Sequence, residues 1–418
     1  MSKYQIFGGR KLEGKISVST SKNATLPILA GSILAKKEVV LNKLPNFTDV
    51  KKMENILIHL GCNITKVEDK TIINTENLSN SFIPNTLTSE IRSSIFLLGP
   101  MLAKLKKAKI SFPGGCNIGN RPIDLHLKGL RALNVKIIEE HGYLYCDGSD
   151  MKGSFIHLDF PSVGATENIM MAALSAKGKT KIYNSAREPE IIDLQNFLNK
   201  MGAKIRGAGS NVITIENSNL NNFKRVEYTP ISDRIIAGTY MLATAISGGN
   251  VEICNINIEH LHSLISKFKN SACNLHIKND KIKLEVNSKF NSFNVQTLPY
   301  PGFPTDLQPQ LVSLLSTSKG TSIVVENLFE TRFKHIPELI KMGADITVKD
   351  KLAIINGVER LSGAEVMATD LRAGAGLVLA GLNASGYTIV DNISYINRGY
   401  ENLAEELNSL NANIKIID

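Results

Sequence analysis

Leu60-Gly61-Cys62-Asn63-Ile64 returns along the chain as Leu133-Asn134-Val135-Lys136-Ile137, Met201-Gly202-Ala203-Lys204-Ile205, Met342-Gly343-Ala344-Asp345-Ile346 and Leu410-Asn411-Ala412-Asn413-Ile414. A weaker copy, Ser271-Ala272-Cys273-Asn274-Leu275, fills the gap. The copies start 73, 68, 70, 71 and 68 residues apart. Each reads as the end of an amphipathic helix, a Gly or Asn, and the start of a strand. The stop has a physical cause. A helix commonly ends on one residue in the left-handed region, where Gly is unhindered and Asn is tolerated. Ala272 departs from this rule, and Asn270 is an alternative stop for that copy. So even a period predicts six copies of one supersecondary unit.

A second element also occurs six times: an apolar, small-residue helix that runs into a β-branched strand. The helices begin near Lys22, Arg92, Gly164, Asp233, Asp306 and Asp370. The strands include Glu38–Leu41, Lys109–Phe112, Thr180–Tyr183, Val251–Cys254, Ser322–Val325 and Tyr387–Val390. Segments such as Ile169–Ala176 and Ala375–Leu382 are apolar nearly all round, which marks buried helices. Each unit therefore reads helix, strand, helix, strand pair. The pairs include Ile64–Val67 with Thr71–Asn74 and Ile346–Val348 with Leu352–Ile355. The pattern predicts an α/β fold with buried helices and outer sheets. Six units exceed one core and suit three plus three. The expected domains are 21–229, and 1–20 with 230–418, the N-terminal residues supplying a strand to the last unit.

The 418 residues are 43% hydrophobic and 21% charged, ordinary for a folded chain. Lys and Arg number 48 against 39 Asp and Glu, a net charge of +9, read either as a Lys-rich surface or as a cleft for an anion. No long basic run, aromatic-interleaved basic patch or zinc-finger spacing points to nucleic acid. The five cysteines show no CxxC spacing, which fits a reducing compartment. Residues 1–15 are polar and no apolar run reaches the ~18 residues of a membrane span. A cytoplasmic protein with no membrane association is expected.

Charges gather at the starts of the buried helices. Acidic residues there serve as ordinary caps. Lys22 and Arg92 oppose the helix dipole and call for an anionic partner. A second series, Arg121, Arg187, Arg332 and Arg398, falls in loops before amphipathic helices, and Arg suits phosphate and carboxylate. If the helix starts of both halves face one cleft, Lys22, Arg121, Arg332 and Arg398 converge there. The loop Phe112-Pro113-Gly114-Gly115-Cys116-Asn117-Ile118-Gly119-Asn120-Arg121-Pro122 is the strongest local signal. A thiol among backbone N–H groups and near a guanidinium is activated. Two other readings stand beside that one: an incidental buried cysteine, and a cysteine hydrolase with His126 as its base.

These motifs together resemble the UDP-N-acetylglucosamine 1-carboxyvinyltransferases of the enolpyruvyl transferase family. The resemblance rests on Ser21-Lys22-Asn23-Ala24, Pro113–Asp124 with Leu125-His126-Leu127, Ser162-Val163-Gly164-Ala165-Thr166, Pro301-Gly302-Phe303-Pro304-Thr305-Asp306, Asp370-Leu371-Arg372 and Ile396-Asn397-Arg398-Gly399-Tyr400-Glu401. It spans the chain in order. It implies an inside-out α/β barrel in each of two domains, each of three repeats. It implies transfer of the enolpyruvyl group of phosphoenolpyruvate to the 3′-hydroxyl of UDP-N-acetylglucosamine, in peptidoglycan precursor synthesis, by a monomer or weak oligomer. No cofactor or metal is implied.

By the same resemblance Cys116 is the general acid, can form an adduct with phosphoenolpyruvate, and is the target of the epoxide fosfomycin. Asp306 is the general base. Lys22, Arg121 and Arg398 hold the phosphate and carboxylate of phosphoenolpyruvate, and Arg92 touches the substrate pair. Asn23 orients the sugar, and Leu328 touches it. Arg121, Pro122, Ile123, Asp124 and Leu125, with Ser162, Val163 and Gly164, line the uridine diphosphate site. Asp370 and Arg372 support the closed cleft. There are departures: Phe160 stands where some relatives carry Lys, Thr331 where Asn is frequent, and Ile236 where an acid is frequent. The rivals are the shikimate 3-phosphate enzyme of the same fold, a non-catalytic sugar-nucleotide sensor, and an RNA-binding repeat protein. Aromatic residues at 6% with no Trp disfavour the last.

Overall fold

The computed structural model describes residues 2–114, 122–269 and 271–418. These residues form two compact units. One comprises residues 20–114 and 122–231, the other residues 2–19 and 232–418. The repeat unit is visible in both. Strands observed at Glu38–Asn42, Lys107–Ser111, Lys179–Tyr183, Gly249–Cys254, Thr321–Val325 and Tyr387–Asp391 match the expected ones to within two residues. The stops Gly61, Asn134, Gly202, Gly343 and Asn411 all have positive φ, between 66° and 123°, so the left-handed turn behind the period is physically present. Asn270 lies outside the described residues.

Among the described residues the strands make six separate four-stranded sheets, not one continuous barrel wall. Each sheet repeats one plan. In the first, Val226–Tyr228 runs parallel to Glu38–Asn42, which pairs antiparallel with Lys70–Asn74, which in turn pairs antiparallel with Asn63–Val67. The parallel edge strand there comes from the end of the third repeat. Lys3–Phe7 lies between Tyr387–Asp391 and Ile414–Ile417, antiparallel to both, and so completes the last sheet. Leu12–Ser17 joins Gly249–Cys254 in parallel.

The expected buried helices are Lys22–Ser32, Leu98–Leu105, Val163–Ala173, Arg234–Ser247, Gln308–Leu315 and Leu371–Leu382. Small residues let them approach closely. A Cβ on Gly376 would meet the Pro309 backbone at 2.9 Å, so the last two helices can pack this tightly only with glycine there. Two helix starts differ from expectation. Arg92–Leu97 and Thr305–Leu307 are 3-10 turns that lead into α-helices at Leu98 and Gln308. Pro100 and Pro309 explain this: Pro has no N–H to donate and settles in the first α-helical turn, leaving the preceding residues to close tighter bonds. Among the described residues no helix is long and apolar enough to cross a membrane.

Candidate functional site

Cys116 and Arg121, the centre of the glycine-rich loop, lie outside the described residues. The remaining candidates fall in the two units, several of them at helix starts.

In the unit 20–231, Lys22 is the first residue of its helix, and the Ser21 hydroxyl caps that helix by accepting from the Ala24 N–H at 3.4 Å. The anion that Lys22 calls for includes a protein group: its Nζ lies 2.7 Å from Oδ2 of Asp49, whose carboxylate is almost fully buried. Asn23 follows, half-buried. Ser162 caps the helix Val163–Ala173 and leaves Val163 and Gly164 half-buried at its start. Behind that start, Asn168 donates from Nδ2 to the Ile95 carbonyl and to Nδ1 of His126, at 2.7 and 2.8 Å, and accepts from the Gly99 N–H at 2.7 Å. His126 is therefore a buried structural partner of Asn168 through its Nδ1. Arg92, Phe112, Pro122, Ile123, Asp124 and Lys128 line a cleft of about 440 Å³. Leu125 is half-buried and Phe160 is exposed.

One residue of this unit escaped the sequence reading. Glu167 is fully buried in the helix below Gly164, and neither carboxylate oxygen has a hydrogen-bond partner among the described residues. Burial, reinforced by Glu190 and Glu188, pushes its carboxyl well above the usual range. Because the folded-state pKa is raised, the unfolded chain releases this proton first, and stability falls as pH rises above the ordinary Glu value. Glu167→Gln keeps the shape and removes that penalty. The variant should melt at least about 3 °C higher than the native chain at pH 7.5 and show no gain near pH 4, read by calorimetry. An equal or lower melting temperature at pH 7.5 would refute the assignment of a neutral buried acid.

In the other unit, Asp306 sits on the 3-10 turn before Gln308 with its side chain 28% exposed. Two guanidinium groups hold its carboxylate. Arg332 Nη2 donates to Oδ1 and Arg372 Nη2 to Oδ2, each at 3.2 Å. Arg332 is among the largest fully buried side chains. It also donates to the Thr305 carbonyl, from Nε at 3.3 Å and from Nη2 at 3.1 Å, and its Nη1 lies 3.5 Å from Oδ1 of Asp370. Asp370 caps the helix Leu371–Leu382, accepting from the N–H groups of Arg372 and Ala373 at 2.9 and 3.1 Å. Burial works against the Arg372 charge, but the carboxylates of Asp306 and Asp233 and the Tyr400 oxygen outweigh it and hold the guanidinium charged. Burial pushes His335 down to about 4, so a neutral ring accompanies Arg332, donating from Nδ1 to its carbonyl at 3.2 Å. Arg398 ends a 3-10 turn, half-buried.

Glu326 was also not singled out from the sequence. Its buried carboxylate accepts from Thr297 and Thr305 hydroxyls at 2.8 and 3.0 Å and from the N–H groups of Leu328 and Phe329 at 2.9 and 3.2 Å. It thereby ties the loop carrying Leu328 to the turn carrying Asp306. No group of three or more His, Cys, Asp or Glu that could hold a metal ion occurs among the described residues.

The EPSP synthase (3-phosphoshikimate 1-carboxyvinyltransferase) family model matches residues 6–407. UDP-N-acetylglucosamine 1-carboxyvinyltransferase 2 of Caldanaerobacter subterraneus subsp. tengcongensis is 51% identical over 415 residues, 99% of each chain. UDP-N-acetylglucosamine 1-carboxyvinyltransferase 1 of Clostridium perfringens is 47% identical over 423 residues, covering both chains fully. Among solved structures, the enolpyruvyl transferase NikO from Streptomyces tendae superposes with a TM-score of 0.90 at 22% identity, over 99% of this chain and 98% of that one. EPSP synthase from Acinetobacter baumannii gives 0.78 at 18% identity over the whole of both chains. These two likenesses speak for the fold.

Proposed function

The chain belongs to the UDP-N-acetylglucosamine 1-carboxyvinyltransferases within the EPSP synthase family, and from that premise we propose that it transfers the enolpyruvyl group of phosphoenolpyruvate to the 3′-hydroxyl of UDP-N-acetylglucosamine and releases phosphate. The full-length identity of 51% carries this reading of the substrate pair. The clamped carboxylate of Asp306 is the observation in the fold that suits it.

In this mechanism Cys116 gives its proton to the methylene carbon of phosphoenolpyruvate, which makes the neighbouring carbon electrophilic. The sugar oxygen bonds to that carbon while Asp306 takes the hydroxyl proton. In the second half the methyl carbon gives up a proton, the double bond re-forms and the bond to phosphate breaks. A base must face the sugar hydroxyl as an anion with a defined direction. Two 3.2 Å contacts from different elements give Asp306 that direction. Lys22, Arg121 and Arg398 neutralise the phosphate and carboxylate, with Arg92 beside the pair. Asn23 and Leu328 meet the sugar. The nucleotide rests on Pro122 to Leu125 and on the helix start Ser162–Gly164, where free N–H groups favour phosphate. Arg332, expected in an anion cleft, and Arg372, expected to support its closure, are assigned instead to holding Asp306, because both are buried on protein acceptors. Asp370 holds Arg332 in turn.

The decisive assay is phosphate release from phosphoenolpyruvate with UDP-N-acetylglucosamine, compared with shikimate 3-phosphate. Turnover with the second acceptor alone would overturn the reading. Thiol chemistry gives an independent prediction. Burial pushes Cys62 and Cys146 up to about 12 and Cys273 up to about 11, and it raises Cys254 as well. Their thiolate fractions at neutral pH are negligible. Fosfomycin with UDP-N-acetylglucosamine should therefore add once, on Cys116. Intact-mass and peptide analysis showing no adduct, or one on another cysteine, would refute the activated thiol.

A further inference from the structure

Of the motif Ile396–Glu401, Arg398 enters the mechanism and Tyr400 does not. Tyr400 is fully buried, and its hydroxyl is the node of a polar network inside the apolar interior of the unit 232–418. Thr239, from the helix Arg234–Ser247, is 2.8 Å from it. Gln310, from Gln308–Leu315, donates from Nε2 to the Tyr400 and Thr239 oxygens, at 3.2 Å each. The guanidinium of Arg372, from Leu371–Leu382, lies 5.5 Å from the Tyr400 ring centroid, so the ring packs against the cation. Each of the three buried helices thus contributes one group.

One arrangement of the hydroxyl hydrogens satisfies these contacts together. The single hydroxyl hydrogen of Thr239 goes to the Ile235 carbonyl at 2.8 Å. Thr239 therefore accepts from Tyr400, and the Tyr400 hydrogen is committed to it. The Tyr400 oxygen is then left with acceptor capacity, which the Gln310 amide uses.

We propose that Tyr400, oriented by Thr239 and Gln310, is a positioning residue for the reaction: it fixes the Arg372 guanidinium, and through it the direction of the Asp306 carboxylate. This rests on the reading of Asp306 as the base. A network that only specified helix packing would affect stability and leave the balance of kcat and KM alone. Held groups must sit within a fraction of an ångström of productive geometry, and small misplacements cost large factors in rate.

The test uses four variants of the full chain in the phosphate-release assay, with melting curves alongside. Tyr400→Phe should lower kcat about tenfold or more with KM for both substrates within about threefold. Thr239→Val, which keeps the ring in place and removes its acceptor, should change kcat in the same direction; Thr239→Ser, which restores the hydroxyl, should stay within about twofold of native. Asp306→Asn separates the two claims. If Asp306→Asn is inactive and Tyr400→Phe turns over like the native enzyme, the positioning role is wrong and the base stands. If Asp306→Asn is fully active, the base assignment fails and takes this inference with it. Should Tyr400→Phe not fold, Thr239→Val against Thr239→Ser decides: equal kcat values in that pair overturn the proposal.

Discussion

Asp306→Asn is expected to lower kcat by about a thousandfold, with KM for both substrates changed by less than about threefold. The substitution preserves volume and removes the ability to accept the hydroxyl proton. It also changes the electrostatics. The native carboxylate presents one oxygen to each of two guanidinium groups. An amide has one acceptor oxygen and turns an NH2 toward the other Arg, so one buried cation loses its contact with residue 306. Some stability should go with it, because a buried charge without its counterion is costly. The melting temperature therefore has to be read beside the kinetics, and kcat taken at a temperature where both proteins are folded. A kcat within tenfold of native would remove Asp306 from proton transfer. A large rise in KM at unchanged kcat would instead make it a binding group, since uniform binding energy appears in KM alone.

The repeat made most of this fold readable, because the same local events recur in every unit. A helix must stop, and Gly61, Asn134, Gly202, Gly343 and Asn411 stop it with positive φ. A strand must start, and the β-branched runs mark it to within two residues. Local chemistry of this kind is written in consecutive residues. The site was legible only as far as it is local too: Lys22, Asp306 and Asp370 were found as charges at helix starts. Which groups they pair with was not. Arg332 and Arg372 stand 26 and 66 residues from the carboxylate they hold, and nothing in either neighbourhood distinguishes an arginine that meets substrate from one that holds a base. Asp49, which meets Lys22, reads as an ordinary first-turn acid of an amphipathic helix. Glu326 and Glu167 read as single polar residues at a strand end and within an apolar helix. Their burial, one fully hydrogen-bonded and the other without a partner, exists only once the chain is folded.

Cys116→Ala should lower phosphate release by about a thousandfold while binding of UDP-N-acetylglucosamine, measured by calorimetry, stays within about threefold. Protonating the methylene carbon needs an acid that can give up a proton at neutral pH and take it back. The sequence supplies five thiols, and the fold removes four from contention: Cys62, Cys146 and Cys254 are buried and Cys273 is partly so, with burial raising all four. No compensation by a neighbouring cysteine is therefore expected in the alanine variant. The nucleotide contacts assigned to Pro122–Leu125 and Ser162–Gly164 use backbone and helix-start groups that the substitution does not alter, so affinity and rate should separate. Deuterium provides a second readout. In D2O the native enzyme should place solvent deuterium in the vinyl group of the product, because the methyl carbon formed by protonation later gives up one of its three hydrogens. If the alanine variant releases phosphate within tenfold of the native rate, or if the native product carries no deuterium, protonation by Cys116 is not part of the reaction.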